Sequence, residues 1–252
     1  MSKKKVLIPL PTYGFDPTEA AIPWKILSEK GFELVFCTPD GVQACGDRLM
    51  LKGERLGIWK PVLRARKDAV EAYREMESSD AFTNPCAYKE AQEAGFDALL
   101  LSGGHDKAIK EYLESGVLQQ LVVDFFNADK PVGAICHGVV LAARSIDPGT
   151  GKSALYHYRT TALLKTQETM AYKMTRLWLK DYYLTYPEIT VEDEVTNALS
   201  GSDNFLRGPN PLLRDDHDHP NRGFTVRDRN YLSARWPGDA YAFSTEFAAM
   251  LV

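Results

Sequence analysis

The first forty residues restrict the possible folds more than any other stretch of the chain. Lys5 to Leu10 is a short apolar run, Asp16-Pro17-Thr18-Glu19 opens a helix reaching about Lys30, and Phe32 to Thr38 is a second apolar run. Short apolar runs of this kind suit strands buried on both faces. Strand, helix and strand in that order make a βαβ unit, whose strands pair in parallel through a crossover. Asp16 at the N-cap, Pro17 at N1 and Glu19 at N3 are strong helix-start chemistry and complete a capping box. Pro23 has no amide to donate, which predicts a kink or a restart one turn in.

The alternation resumes after an irregular stretch. Residues 40 to 95 read as an elaborated connection with helix-compatible segments at 60–78 and 88–94. Phe96 to Leu101 is a buried-strand run ending in Ser102-Gly103-Gly104-His105, followed by a helix over 108–127 and a strand from Pro131 to Ile135. Thr160 to Leu164 reads as a further strand, Gln167 to Tyr183 as a long helix, and Gly223 to Ala234 as a hairpin turning at Asp228-Arg229-Asn230. An apolar helix from Asp239 closes the chain. This order predicts an α/β fold with a doubly wound sheet, whose ligands bind beyond the carboxyl ends of the strands.

Composition narrows the function classes. The 252 residues are 44% hydrophobic, enough to bury one large core, and carry a formal charge of −4 with no concentrated basic stretch. Nucleic acid is therefore not the expected partner. Val6 to Leu10 is too short for a signal-peptide core or a membrane span, so a soluble cytoplasmic protein with no membrane partner is expected. Cys37, Cys45, Cys86 and Cys136 lack CxxC spacing and are expected to be free thiols. Pro148 to Ser153 imitates a phosphate-binding loop, but Ile146 occupies the first glycine position and no strand precedes it. Asp215 to His219, with His217 and His219, is expected to be a solvated loop, and no metal site is expected.

The residues that promise chemistry gather at two strand ends. Pro131 to Gly138 ends an apolar strand at Cys136 and turns at once into the helix-like Gly138 to Ala143, the pattern of a nucleophile elbow. The positive end of that helix would favour the thiolate, whereas the simpler reading is a small buried hydrophobe. Gly103 and Gly104 offer amides unobstructed by side chains, as an oxyanion hole needs, or simply make a tight turn. His137 is a candidate base if its ring turns back toward the sulfur. Glu19 is accounted for by the capping box, yet the helix it opens starts beside the first strand's carboxyl end. From there a protonated carboxyl could donate to the sulfur.

Glu19 in Pro17-Thr18-Glu19-Ala20, Leu101-Ser102-Gly103-Gly104-His105, and Ala134-Ile135-Cys136-His137-Gly138 together resemble the ThiJ/PfpI superfamily, with its class I glutamine amidotransferase-like fold. The resemblance is strongest to the heat-shock chaperone and glyoxalase III branch and covers about residues 5–40 and 97–252. It implies one domain over residues 1–252, a flavodoxin-like three-layer sandwich with insertions at about 40–95 and 169–222, commonly dimeric. It also implies a first-helix glutamate hydrogen-bonded to the elbow sulfur. The segment Arg159 to Glu168 is similar to one that ends in the acid orienting the histidine after the cysteine, pointing to Glu168. The bare alternative is a solvent-facing acid in a helix's first turn. The chain departs from the family's Pro-Gly-Gly-His-Gly run at Ser102 and at Asp106, which adds a carboxylate near the pocket mouth.

The function implied is a cofactor-independent, cysteine-dependent conversion of a small 2-oxoaldehyde to a 2-hydroxy acid. Cys136, His137, Glu168 and Glu19 would be catalytic, and Gly103, Gly104 and His105 would bind substrate or its oxyanion. Deglycase, chaperone and peptidase or amidase-like activities occur in the same family. A different class of reading is a redox-sensing, stress-protective protein that oxidises Cys136. Glutamine amidotransfer needs a downstream His-x-Glu, which no histidine here supplies.

Overall fold

The computed structural model describes residues 3–252. Its main sheet contains β1 (Lys5–Pro9), β2 (Glu33–Thr38), β3 (Cys86–Ala87), β4 (Ala98–Leu101), β5 (Val132–Ile135), β6 (Thr225–Asp228) and β7 (Tyr231–Ala234). Their spatial order is β6-β7-β5-β4-β1-β2-β3, and every pairing is parallel except β6 with β7. From β1 the chain winds outward through β2 to β3. It then returns to β4 on the other flank of β1 and winds outward again. The gap between β1 and β4 is thus a topological switch point, the place where such sheets bind ligands.

The longer helices are α1 (Pro17–Glu29), α2 (Lys67–Glu77), α3 (Gly116–Asn127), α4 (Gly138–Arg144), α5 (Lys165–Leu179), α6 (Val191–Ala198) and α7 (Ala240–Met250). α1 lies between α2 and α7 in one layer, and α3 and α4 pack together in another. β1, β4 and β5 are buried almost throughout, which is why they read as unbroken apolar runs. Gly133 in β5 lets α7 close on the sheet, since a Cβ there would come within 2.9 Å of Phe243 and Phe247.

Four local expectations are corrected. α1 runs unbroken through Pro23. The 60–78 helix is split, because Arg64 and Arg66 are extended and the intervening Ala65 amide donates to the Met50 carbonyl at 3.0 Å. The 108–127 helix is also split, restarting where the Ser115 side chain caps the Leu118 amide. Thr160 to Leu164 is not a strand. Its residues are buried, but only a single bridge from Thr160 to Phe205 ties it to another extended segment. No described helix is long and apolar enough to cross a membrane.

Candidate active site

Three strand ends converge at the switch point. Cys136 follows β5 with φ +56°, a left-handed conformation that costs a non-glycine residue on the order of 1–3 kcal/mol. Two things hold it there: the Cys136 amide donates to the Ala234 carbonyl at 3.1 Å, and α4 begins two residues later. Gly138 permits the turn, since a Cβ on it would lie 2.2 Å from the Leu101 carbonyl oxygen. Gly103 and Gly104 let the β4 end close in as well. An added Cβ would meet the His137 nitrogen at 2.6 Å from Gly103, or the Gly14 oxygen at 2.5 Å from Gly104.

Glu19 turns out not to close a capping box. Asp16 caps α1 through its Oδ1, accepting from the Thr18 and Glu19 amides, but the Asp16 amide donates to the Gly103 carbonyl at 2.8 Å. Glu19 Oε2 instead accepts from the Gly103 amide at 3.0 Å, so the carboxyl faces Cys136 across that glycine. Pro23 contributes to this placement. With no amide on Pro23, the Glu19 carbonyl four residues earlier lacks its helical partner. The Ser102 hydroxyl donates to that carbonyl at 3.2 Å, tying α1 to the end of β4. The departure from proline at 102 therefore has a structural role, which the sequence offered no local signal to find.

Electrostatics assign protonation states. Glu19 is fully buried, and desolvation, reinforced by the Asp16 charge, pushes its pKa well up despite the Cys136 and Gly103 hydrogen-bond contributions. It rests as the neutral acid. Burial likewise pushes the Cys136 thiol well up, with the Asp16 charge adding to it and the His137 amide opposing. The expected pull of α4 toward the thiolate is outweighed, because a seven-residue helix cannot offset complete desolvation of the sulfur. His137 is driven well below its ordinary pKa, first by burial, so its ring is neutral. Its Nδ1 lies 3.5 Å from Cys136 Sγ, positioned to receive the thiol proton.

Around this pair, polar atoms lack partners. Glu19 Oε1, His105 Nδ1, His137 Nε2 and the Tyr183 hydroxyl are all buried without a protein hydrogen bond among the described residues. His105 stands edge-on to His137 and to Tyr183, each at 5.0 Å between ring centroids, and burial lowers its pKa to about 4. Glu168 is buried in the first turn of α5, which rules out the solvent-facing alternative. Its Oε2 accepts from the Val191 amide at 3.0 Å, and burial raises its pKa to about 7. No hydrogen bond joins it to His137 among the described residues.

The segment following α5 is tied down beside His105. Tyr182 donates its hydroxyl to Asp47, Lys107 pairs with Asp181, and the Thr185 hydroxyl donates to the His105 carbonyl at 3.0 Å. Cys136 is left about 1% exposed. Tyr183 of this segment sets its ring against His105, a placement with no local signature in the sequence. Asp106, expected near the pocket mouth, caps the helical turn after it by accepting from the Ala108 amide at 2.9 Å. Contrary to expectation a two-residue strand, Ile146–Asp147, precedes the 148–153 segment and pairs antiparallel with Lys152–Ser153 as a tight hairpin, and Asp216 ties the acidic loop together by accepting from His219 Nδ1 at 2.8 Å. Among the described residues no cluster of three or more His, Cys, Asp or Glu side chains is arranged to hold a metal ion.

The fold and site together define an α/β protein with an elbow cysteine facing a first-helix glutamate at the switch point of its sheet. The chain matches the ThiJ/PfpI family-like profile over residues 10–195 and belongs to the ThiJ/PfpI family. An uncharacterized protein of Schizosaccharomyces pombe is 25% identical over 182 residues, 68% of this chain and 67% of that protein. The glutathione-independent glyoxalase hsp3102 of the same yeast is 25% identical over 160 residues, which span 62% of this chain and 62% of the relative. The crystal structure of glyoxalase III from Candida albicans shares the fold, with a TM-score of 0.70 at 18% identity, covering 98% of this chain and 97% of that one.

Proposed function

We propose that this protein is a cofactor-independent enzyme of glyoxalase III type, converting a small 2-oxoaldehyde such as methylglyoxal to the 2-hydroxy acid. The observation that carries the reading is the enclosure of Cys136 Sγ, with a neutral imidazole at 3.5 Å and four buried polar atoms that have no protein partner. Such unpaired buried groups are costly unless a ligand or water satisfies them. The glyoxalase relative supports the same chemistry.

In this reading Cys136 Sγ attacks the aldehyde carbon as its proton passes to His137 Nδ1 and from there to the former carbonyl oxygen, giving a neutral hemithioacetal and a neutral ring. The Gly103 amide is held by Glu19, so the Gly104 amide is the first to meet the developing oxyanion. His137 removes the former aldehyde hydrogen and returns a proton to the neighbouring carbon, leaving a thioester of the 2-hydroxy acid. Water hydrolyses the thioester and restores the thiol, so the net change is addition of one water. Glu19, kept neutral by burial, donates to the thiolate when it forms. By the family resemblance Glu168 is assigned the orienting of His137, for which its carboxyl would turn from the Val191 amide toward the ring. Entry requires the Tyr182-Tyr183 segment to move, which suits a small substrate better than a polypeptide.

The test is incubation of the purified protein with a panel of 2-oxoaldehydes, with the 2-hydroxy acid quantified by chromatography. Formation well above the Cys136→Ala background is expected. Product formation no faster than that variant's with every member would reject the function.

A further inference from the structure

Outside the elbow, two further cysteines face each other. Cys37 in β2 and Cys86 in β3 are register partners in a parallel ladder, so their side chains leave the same face of the sheet. Neighbouring strands lie about 4.8 Å apart, inside the roughly 4.4–6.8 Å Cα window that a disulfide requires. Both thiols are free. Cys37 is completely buried, whereas Cys86 is half-buried on a two-residue strand at the sheet's edge. Cys45 has no cysteine opposite it in its own ladder, where its register partner is Tyr13.

We propose that Cys37 and Cys86 form a reversible redox dithiol, a second thiol site separate from Cys136, which closes to a disulfide between β2 and β3 when a hydroperoxide oxidises it. The asymmetry of the pair assigns the roles. Cys86 is the reachable sulfur, and its S–H points at the Phe36 carbonyl at 3.6 Å. The Cys37 thiol beside it lowers the Cys86 pKa against desolvation, while burial raises that of Cys37. The Cys86 thiolate attacks the peroxide oxygen, the O–O bond breaks, and the departing alkoxide or hydroxide takes up a proton. This leaves a sulfenic acid on Cys86. Cys37 then attacks the sulfenic sulfur, forming the S–S bond and releasing water with the Cys37 proton. Two electrons pass from the thiols to the peroxide, and an external thiol reverses the bond by exchange.

β3 is two residues long and pairs with β2 alone, so few ladder contacts oppose the adjustment that a cross-strand disulfide asks of it. The bond would pin β3, and with it the connection between residues 38 and 86, which carries Asp47 and the contact to Tyr182. Closing so long a loop restrains the unfolded chain, so the oxidised protein should melt at a higher temperature.

The experiment treats the reduced full-length protein with stoichiometric hydrogen peroxide, alkylates free thiols after denaturation and maps peptides by mass spectrometry. A Cys37–Cys86 linked peptide is expected, lost on dithiothreitol treatment and retained in the Cys136→Ala background, so the outcome is independent of the proposed catalysis. In Cys37→Ala, Cys86 should accumulate a dimedone-reactive sulfenic acid. If that variant does not fold, Cys86→Ser, altered at a half-exposed position, should leave Cys37 reduced and alkylatable. Recovery of Cys37 and Cys86 as separately alkylated peptides while Cys136 oxidises would overturn the proposal, as would Cys86 bonding between chains.

Discussion

Replacing Glu168 with glutamine should change the pH dependence of stability in a calculable way. Burial raises the Glu168 pKa from 4.5 to about 7, with the Val191 amide opposing and the Asp193 and Glu194 charges adding. The folded state thus holds a proton that the unfolded chain has released. The stabilisation is complete below the unfolded pKa and is lost as pH rises toward the folded one. Between those limits the wild type should lose about 1.4 kcal/mol per pH unit relative to Glu168→Gln, which does not titrate there. The accumulated difference is about 3 kcal/mol above neutrality, and the side chain's near-complete burial leaves little solvent screening to reduce it. Glutamine keeps an oxygen for the Val191 amide, so the geometry survives. Urea unfolding followed by circular dichroism, on both proteins from about pH 5 to about pH 8, reads the difference directly. A wild-type-minus-variant stability that stays constant over that range would refute the assignment of a buried, proton-holding Glu168.

Ser102→Ala should cost about 1–3 kcal/mol, because it strands the Glu19 carbonyl that Pro23 leaves open. Adding Pro23→Ala restores an amide donor and should recover part of that loss in a double-mutant cycle. Gly138→Ala should destabilise by about 3 kcal/mol or fail to fold, since two backbone segments must separate, as thermal melting would show. Tyr182→Phe removes the hydroxyl bond to Asp47 and should raise the rate of Cys136 alkylation about tenfold, for a hydrogen bond worth about 1.4 kcal/mol. An unchanged rate would mean that access does not run through this segment.

The parts of the fold carried by local patterns were legible. The βαβ opening, the hairpin at Asp228 to Asn230 and the elbow at Cys136 each depend on residues near one another in sequence, and all three are present in the structure. Thr160 to Leu164 misled because its run is apolar and buried, yet what buries it is packing of an extended segment. Periodicity cannot separate that from a strand. Pro23 misled for a related reason. The carbonyl it leaves open is satisfied by Ser102, about eighty residues away, and no helix rule sees that partner. At the site, Cys136, His137, Glu19 and the glycines could be named from motifs. The Tyr183 ring against His105 and the Tyr182 contact to Asp47 arise from the 169–222 segment folding over the switch point. Likewise, the raised thiol pKa depends on burial that no motif encodes.

In the proposed reaction Cys136 forms the bond to substrate. Reacting the protein with methylglyoxal, quenching in acid during the first turnover and mapping the peptides should place a substrate-derived adduct on Cys136, forming and decaying at rates that match product release. Turnover with Cys136 unmodified throughout, or a Cys136→Ala variant that makes the 2-hydroxy acid at the wild-type rate, would contradict it.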